Sequence, residues 1–210
     1  MKFKLSWPNR ITFFRLLLIP GFVLAAVMAW EGEPVYRWVA LGLLLVVSGG
    51  DMLDGYLARK LHARSRLGAM LDPLTDKILM TSGYIVLASS FWPEPRMPVW
   101  VSVIVISRDV FIGLFYFSLV ALAGGFKMIT PSLVGKGTTL FQMSTLVGVL
   151  AAPLLAGALG ETGMGYLLSG LFLFTAYMTL VSGIDYLYAA RTALHHPDRV
   201  ALIQSDVKGE

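Results

Sequence analysis

The sequence predicts an all-α, polytopic membrane protein, and three observations lead there. Of 210 residues, 56% are hydrophobic and only 14% charged, with a mean hydropathy of +0.71. Several apolar runs are long enough to cross a bilayer. The runs are continuous rather than alternating, which favours helices over a barrel. The chain has no cysteine, so disulfides and thiolate metal ligands are excluded.

Residues 1–11 read as a short amphipathic segment at the membrane surface, anchored by Phe3, Leu5, Trp7 and Ile11. Helix 1 is expected over residues 12–30. A signal peptide is the competing reading, but Arg15 interrupts its apolar core, so the segment reads as a retained span. Residues 31–34 form a turn, and helix 2 follows over 36–60 with Asp51 and Asp54 near its far end. A basic loop over 61–67 leads to helix 3 over 68–91, which carries Asp72 and Asp76 in its first turns. Proline-rich residues 93–98 turn the chain into helix 4 over 99–123. Helix 5 is expected over 131–155 and helix 6 over 165–191, leaving residues 192–210 as a polar tail. Residues 1–191 thus read as a single membrane domain. All five tryptophans fall near expected interfaces, where anchoring aromatics sit.

Six spans place both termini on one side. Of 17 basic residues, only Arg37 and Arg96 fall in loops of the opposite side. The positive-inside rule then assigns the termini, the 2–3 loop and the 4–5 loop to the cytoplasm. The net charge of +4 is explained by these topology charges, so a nucleic-acid partner is not expected.

The chemistry concentrates between Asp51 and Asp76. Asp51 and Asp54 are three apart, and Asp72 and Asp76 four apart, so each pair shares one helix face. Carboxylates at a membrane edge are costly unless a cation holds them. Oxygen ligands without His or Cys favour Mg²⁺, Mn²⁺ or Ca²⁺, and four carboxylates suit two ions better than one. Two such ions are a common clamp for a transferring phosphoryl group. Gly49, Gly50, Gly55 and Ala58 leave room for a ligand beside the helix, although small residues also serve helix packing. Arg59 can fork onto a phosphate or snorkel to the headgroups.

The full spacing is D-x2-D-G-x2-A-R-x8-G-x3-D-x3-D, filled by Asp51, Asp54, Gly55, Ala58, Arg59, Gly68, Asp72 and Asp76. It resembles the signature of the CDP-alcohol phosphatidyltransferase family. Pro8, Asn9, Thr12 and Arg15 are also similar to the start of its bacterial members. The resemblance implies an enzyme in which an alcohol attacks the β-phosphate of CDP-diacylglycerol and CMP is released. It implies metal binding by Asp51, Asp54, Asp72 and Asp76, two Mg²⁺ or Mn²⁺ ions, and Asp76 as general base. Asp54, Gly55, Ala58, Arg59 and Gly68 would accommodate the CDP-lipid. It also implies a homodimer in a bacterial inner membrane, with the active site facing the cytoplasm.

The acceptor alcohol is expected deeper in the bundle, at Arg108 in helix 4 and Lys136 in helix 5. A basic group at mid-depth is a functional candidate by default; the bland alternatives are a structural ion pair, with Asp185 for example, and snorkelling for Lys136. Asp109 would orient Arg108, while Thr138, Thr139 and Gln142 would bond a polyol or another helix. Two cations favour a phosphate-bearing acceptor. Ile106–Asp109, Gly135–Gln142 and Leu71–Lys77 resemble bacterial phosphatidylglycerophosphate synthases, which use glycerol 3-phosphate. Tyr116 departs from them, standing where they usually carry a second Arg. Arg108–Val110 and Phe115–Phe117 resemble eukaryotic-type cardiolipin synthases, which use phosphatidylglycerol, and an inositol phosphate is a third candidate. Outside enzymes, the rival is a divalent-cation transporter. Its ion path would need polar residues through the full membrane depth, whereas the acids here cluster on one side.

Overall fold

A computed structural model of the chain describes residues 7–31, 33–60, 66–123 and 133–195. Among them six helices follow one another: α1 (Trp7–Trp30), α2 (Pro34–Lys60), α3 (Arg66–Ala88), α4 (Val99–Ala123), α5 (Leu133–Leu150) and α6 (Ala152–His195). No strand occurs among the described residues. The all-α expectation therefore holds. Two helical stretches among the described residues are long and apolar enough to cross a membrane, Phe13–Trp30 and Ala152–Tyr188.

The distribution of side chains is that of a chain with lipid as its solvent. Phe13, Leu17 and Leu24 on α1, Val103 and Leu114 on α4, and Leu173, Tyr177 and Leu180 on α6 all face outward. The interior, in contrast, encloses Arg15, Arg37, Thr138, Gln142, Thr145, Thr175, Thr179 and Ser182. A water-soluble protein exposes few contiguous apolar patches and rarely buries so many polar groups.

Helix ends follow local chemistry. α1 begins at Trp7, so residues 7–11 are its first turns rather than a separate surface segment; residues 1–6 lie outside the described residues. Pro34 opens α2, where the missing N–H costs nothing. α3 stops at Ala88, short of the expected 91, because Ser89 turns the chain: its Oγ accepts the Phe91 N–H at 3.2 Å. The Met97 N–H then returns to the Leu87 carbonyl at 3.0 Å.

The largest departure lies between α5 and α6. The sequence suggests a helix to 155 and a loop to 164, whereas the structure ends α5 at Leu150 and starts α6 at Ala152. Pro153 has no N–H to give the Val149 carbonyl. The Leu154 N–H goes instead to Ala151 O at 3.0 Å, which leaves Leu150 O free. Arg37, from the start of α2, supplies both missing donors: Nη2 reaches Val149 O at 2.7 Å and Nε reaches Leu150 O at 3.0 Å. Its guanidinium also lies 5.3 Å from the centre of the Trp92 ring. Arg37 and Trp92 are both buried, so this arginine closes a helix end and this tryptophan covers it. α6 bends at Gly160, whose φ of 74° and ψ of 162° suit only glycine. The helix then runs to His195, beyond the expected end at 191.

Among the described residues α1 packs against both α2 and α3, which touch each other far less. At the α1–α2 seam, buried Arg15 donates from Nε to Val47 O at 2.7 Å. A Cβ on Gly50 would stand 3.0 Å from Arg15 Cδ. Gly50 therefore makes room for an arginine of α1, the packing role that small residues commonly fill.

Candidate functional site

The motif residues sit on the end of α2 and the start of α3. Asp51, Asp54, Gly55, Ala58 and Arg59 belong to α2, and Gly68, Asp72 and Asp76 to α3. The side chains of residues 51–72 lie outside the described residues, and with them the expected metal set apart from Asp76 and the expected CDP-lipid cradle. Asp76 is half-buried in the first half of α3. Its carboxylate is a hard oxygen donor, of the type that fits a divalent cation. Among the described residues no three His, Cys, Asp or Glu side chains converge.

Next to Asp76 the described side chains build an ionic network across three helices. Lys77 Nζ of α3 lies 2.5 Å from Asp109 Oδ2 of α4. Arg108 Nη1 of α4 lies 2.8 Å from Asp109 Oδ1, and Arg108 Nη2 donates to Ser182 Oγ of α6. Asp109 is 9% exposed, Arg108 16% and Lys77 43%. One largely buried carboxylate thus holds two cations. The expectation that Asp109 orients Arg108 is met by its Oδ1 contact. Arg108 does not reach Asp185 for its ion pair; its anionic partner is the neighbouring Asp109.

A buried polar ladder runs beside this network. Thr138, Gln142 and Thr145 of α5 face Thr175, Thr179 and Ser182 of α6, each set at helical spacing. Thr138 Oγ1 is 3.0 Å from Met178 O. Gln142 Nε2 donates to Thr179 Oγ1 at 3.2 Å, and Thr145 and Thr175 share a 2.7 Å hydrogen bond. Tyr84 of α3 joins through Gln142 O at 3.1 Å. Thr138 and Gln142 therefore bond other helices, the second of the two roles the sequence left open. Thr139 bonds within its own helix, to Gly135 O at 3.2 Å.

Burying Thr138 against α6 turns Lys136 to the exposed face of α5. No described contact joins Lys136 to Arg108. Two residues of the network escaped the sequence reading as site candidates, Lys77 and Ser182. Lys77 carried a usable signal, a cation inside an expected span directly after the last motif aspartate. Ser182 carried none, since nothing local distinguishes it from other helix serines.

The family that the motif spacing resembles is the one that comparisons with known proteins identify. A family model described as CDP-alcohol phosphatidyltransferase matches residues 5–182. A CDP-diacylglycerol–glycerol-3-phosphate 3-phosphatidyltransferase of Bacillus subtilis is 31% identical over 190 residues, covering 85% of this chain and 92% of the relative. Proteins of the same name from Sodalis glossinidius and Haemophilus influenzae are 30% and 33% identical. They cover 90% and 71% of this chain, and 96% and 77% of their own lengths.

Proposed function

Because the chain belongs to the CDP-alcohol phosphatidyltransferase family, we propose that it transfers the phosphatidyl group of CDP-diacylglycerol to a hydroxyl of glycerol 3-phosphate. The observation that carries this reading is the near full-length similarity to enzymes named for that reaction. The cationic centre at Arg108 supports it, because a phosphate-bearing acceptor needs such a partner.

Asp51, Asp54, Asp72 and Asp76 would hold two divalent cations, Mg²⁺ or Mn²⁺, which when bound neutralise charge on the pyrophosphate. The donor set fits, being carboxylate throughout. Gly55, Ala58 and Gly68 leave space along the helices for the CDP moiety, and Arg59 forks onto a phosphate oxygen. The acceptor hydroxyl forms a bond to the β-phosphorus as the bridge to the α-phosphate breaks, and CMP departs. Asp76 takes the hydroxyl proton. A carboxylate is a weak base at neutral pH, so the transfer comes late, and positioning contributes more than proton abstraction. Arg108 binds the acceptor phosphate, and exposed Lys136 contributes charge at the mouth of the site.

The six helices are taken as six spans, with both termini and the site on the cytoplasmic side of a bacterial inner membrane. The charge distribution supports this orientation. Residues 1–191 act as one catalytic domain, assembled as a homodimer.

The test is an acceptor panel. Purified protein is incubated with CDP-diacylglycerol, Mg²⁺ and one of glycerol 3-phosphate, phosphatidylglycerol or inositol 1-phosphate, and CMP is measured. Glycerol 3-phosphate should release CMP. Release with phosphatidylglycerol alone would reassign the chain to cardiolipin synthesis.

A further inference from the structure

We propose that Lys77 is a second phosphate-binding residue for the acceptor, acting with Arg108 across the seam between α3 and α4. The inference rests on the reading that the acceptor carries a phosphate.

The argument is one of charge and donors. An ammonium has three N–H donors and a guanidinium five. Among the described residues Lys77 uses one, on Asp109 Oδ2. Arg108 uses one on Asp109 Oδ1 and one on Ser182 Oγ. Its Nε is buried with no hydrogen-bond partner among the described residues. One carboxylate cannot neutralise two cations, and the unfilled Nε of the largely buried Arg108 guanidinium is costly, whereas Lys77, 43% exposed, keeps donors accessible to a ligand. The missing partner is an anion with several acceptor oxygens. A phosphate monoester supplies three terminal oxygens and close to two negative charges at neutral pH.

Position makes the same case. Lys77 follows Asp76 directly on α3. A small phosphorylated polyol anchored between Lys77 and Arg108 is therefore held within one helical turn of the backbone that carries the proposed base. Lys136, the cation that the sequence favoured beside Arg108, lies on the exposed face of α5 instead. Asp109 keeps the two cations at a fixed separation, with one carboxylate oxygen on each. It acts as a positioning residue, touching no substrate. This pair of cations therefore selects a phosphorylated acceptor over its dephosphorylated analogue.

The experiment uses the full-length enzyme in detergent, with CMP release followed while each substrate is varied in turn. Lys77→Met should raise KM for glycerol 3-phosphate about tenfold or more, the scale of one charge-assisted hydrogen bond, while KM for CDP-diacylglycerol moves less than about twofold. Lys77→Arg, which keeps the charge, should recover most of the loss. A strap that only joins α3 to α4 would shift both KM values together or neither, and either result overturns the proposal.

Should Lys77→Met not fold, the wild type gives the answer. Acetic anhydride labelling of Lys77, read by peptide mass spectrometry with Mg²⁺ and CMP present, should be suppressed by glycerol 3-phosphate and not by glycerol. Equal labelling in both overturns the proposal. Wild-type enzyme that releases no CMP with glycerol 3-phosphate would sink the acceptor reading, and this inference with it. Normal wild-type turnover with unmoved KM in Lys77→Met sinks Lys77 alone.

Discussion

Replacing Arg37 with Met should unfold the bundle early, through two carbonyls that lie far from Arg37 in sequence. Arg37 donates to Val149 O at 2.7 Å and to Leu150 O at 3.0 Å, both buried. Leaving a buried acceptor unsatisfied costs about 1–3 kcal/mol, so the pair costs roughly 2–6 kcal/mol. Loss of the Trp92 stacking adds about 0.5–2 kcal/mol. Removing a buried guanidinium gives part of this back, since its own desolvation is relieved. A net loss of about 2–4 kcal/mol is expected, and at about 2–4 °C per kcal/mol for a chain of this size Tm should fall by roughly 5–15 °C. The assay is tryptophan-fluorescence unfolding at fixed detergent and protein concentrations. Pro153→Ala provides the control, because it restores an N–H that can serve Val149 O. The double variant should lose less than Arg37→Met alone. A Tm within about 2 °C of wild type for Arg37→Met would refute the capping argument, as would a double variant no better than the single one.

Asp72→Asn should abolish CMP release without changing detergent monodispersity, and EDTA should do the same to the wild type until Mg²⁺ or Mn²⁺ is restored; sustained turnover in the purified, metal-supplied variant would remove Asp72 from the metal set. Arg108→Ala should raise KM for glycerol 3-phosphate roughly 10- to 100-fold, from about 1.5–3 kcal/mol for hydrogen bonds to a charged group. Equal changes in both substrates' KM would make Arg108 structural. Gly83→Ala should destabilise by about 1–3 kcal/mol through overpacking. Its Cβ would meet Leu146 Cδ1 at 3.0 Å and Cδ2 at 3.2 Å, and Leu146 is fully buried. Unchanged thermal unfolding of that variant would show that α3 and α5 can separate there at no cost.

Features that depend on neighbours along the chain were legible in the sequence. Continuous apolar runs predicted helices, and the described residues form six of them, two with stretches long and apolar enough to cross a membrane. The spacing of Asp51, Asp54, Gly55, Ala58, Arg59, Gly68, Asp72 and Asp76 identified the family, because helix periodicity turns spacing into a shared face. Asp109 was legible as a partner of Arg108 since the two are adjacent.

Tertiary structure decided whatever joins distant residues. Arg37 read as a topology charge because the donors it replaces are lost at Pro153, more than a hundred residues away. The same pairing explains why α5 could end at Leu150 and the chain continue helically from Ala152, where sequence periodicity suggested a longer helix and a loop. Thr138 and Gln142 were ambiguous until α6 supplied their partners. Lys77 became a site residue only when α4 brought Asp109 to it. A hydroxyl or a cation has the same local chemistry whether it meets a substrate, a helix or a headgroup. Only packing, which sets what stands within about 3 Å, distinguishes these.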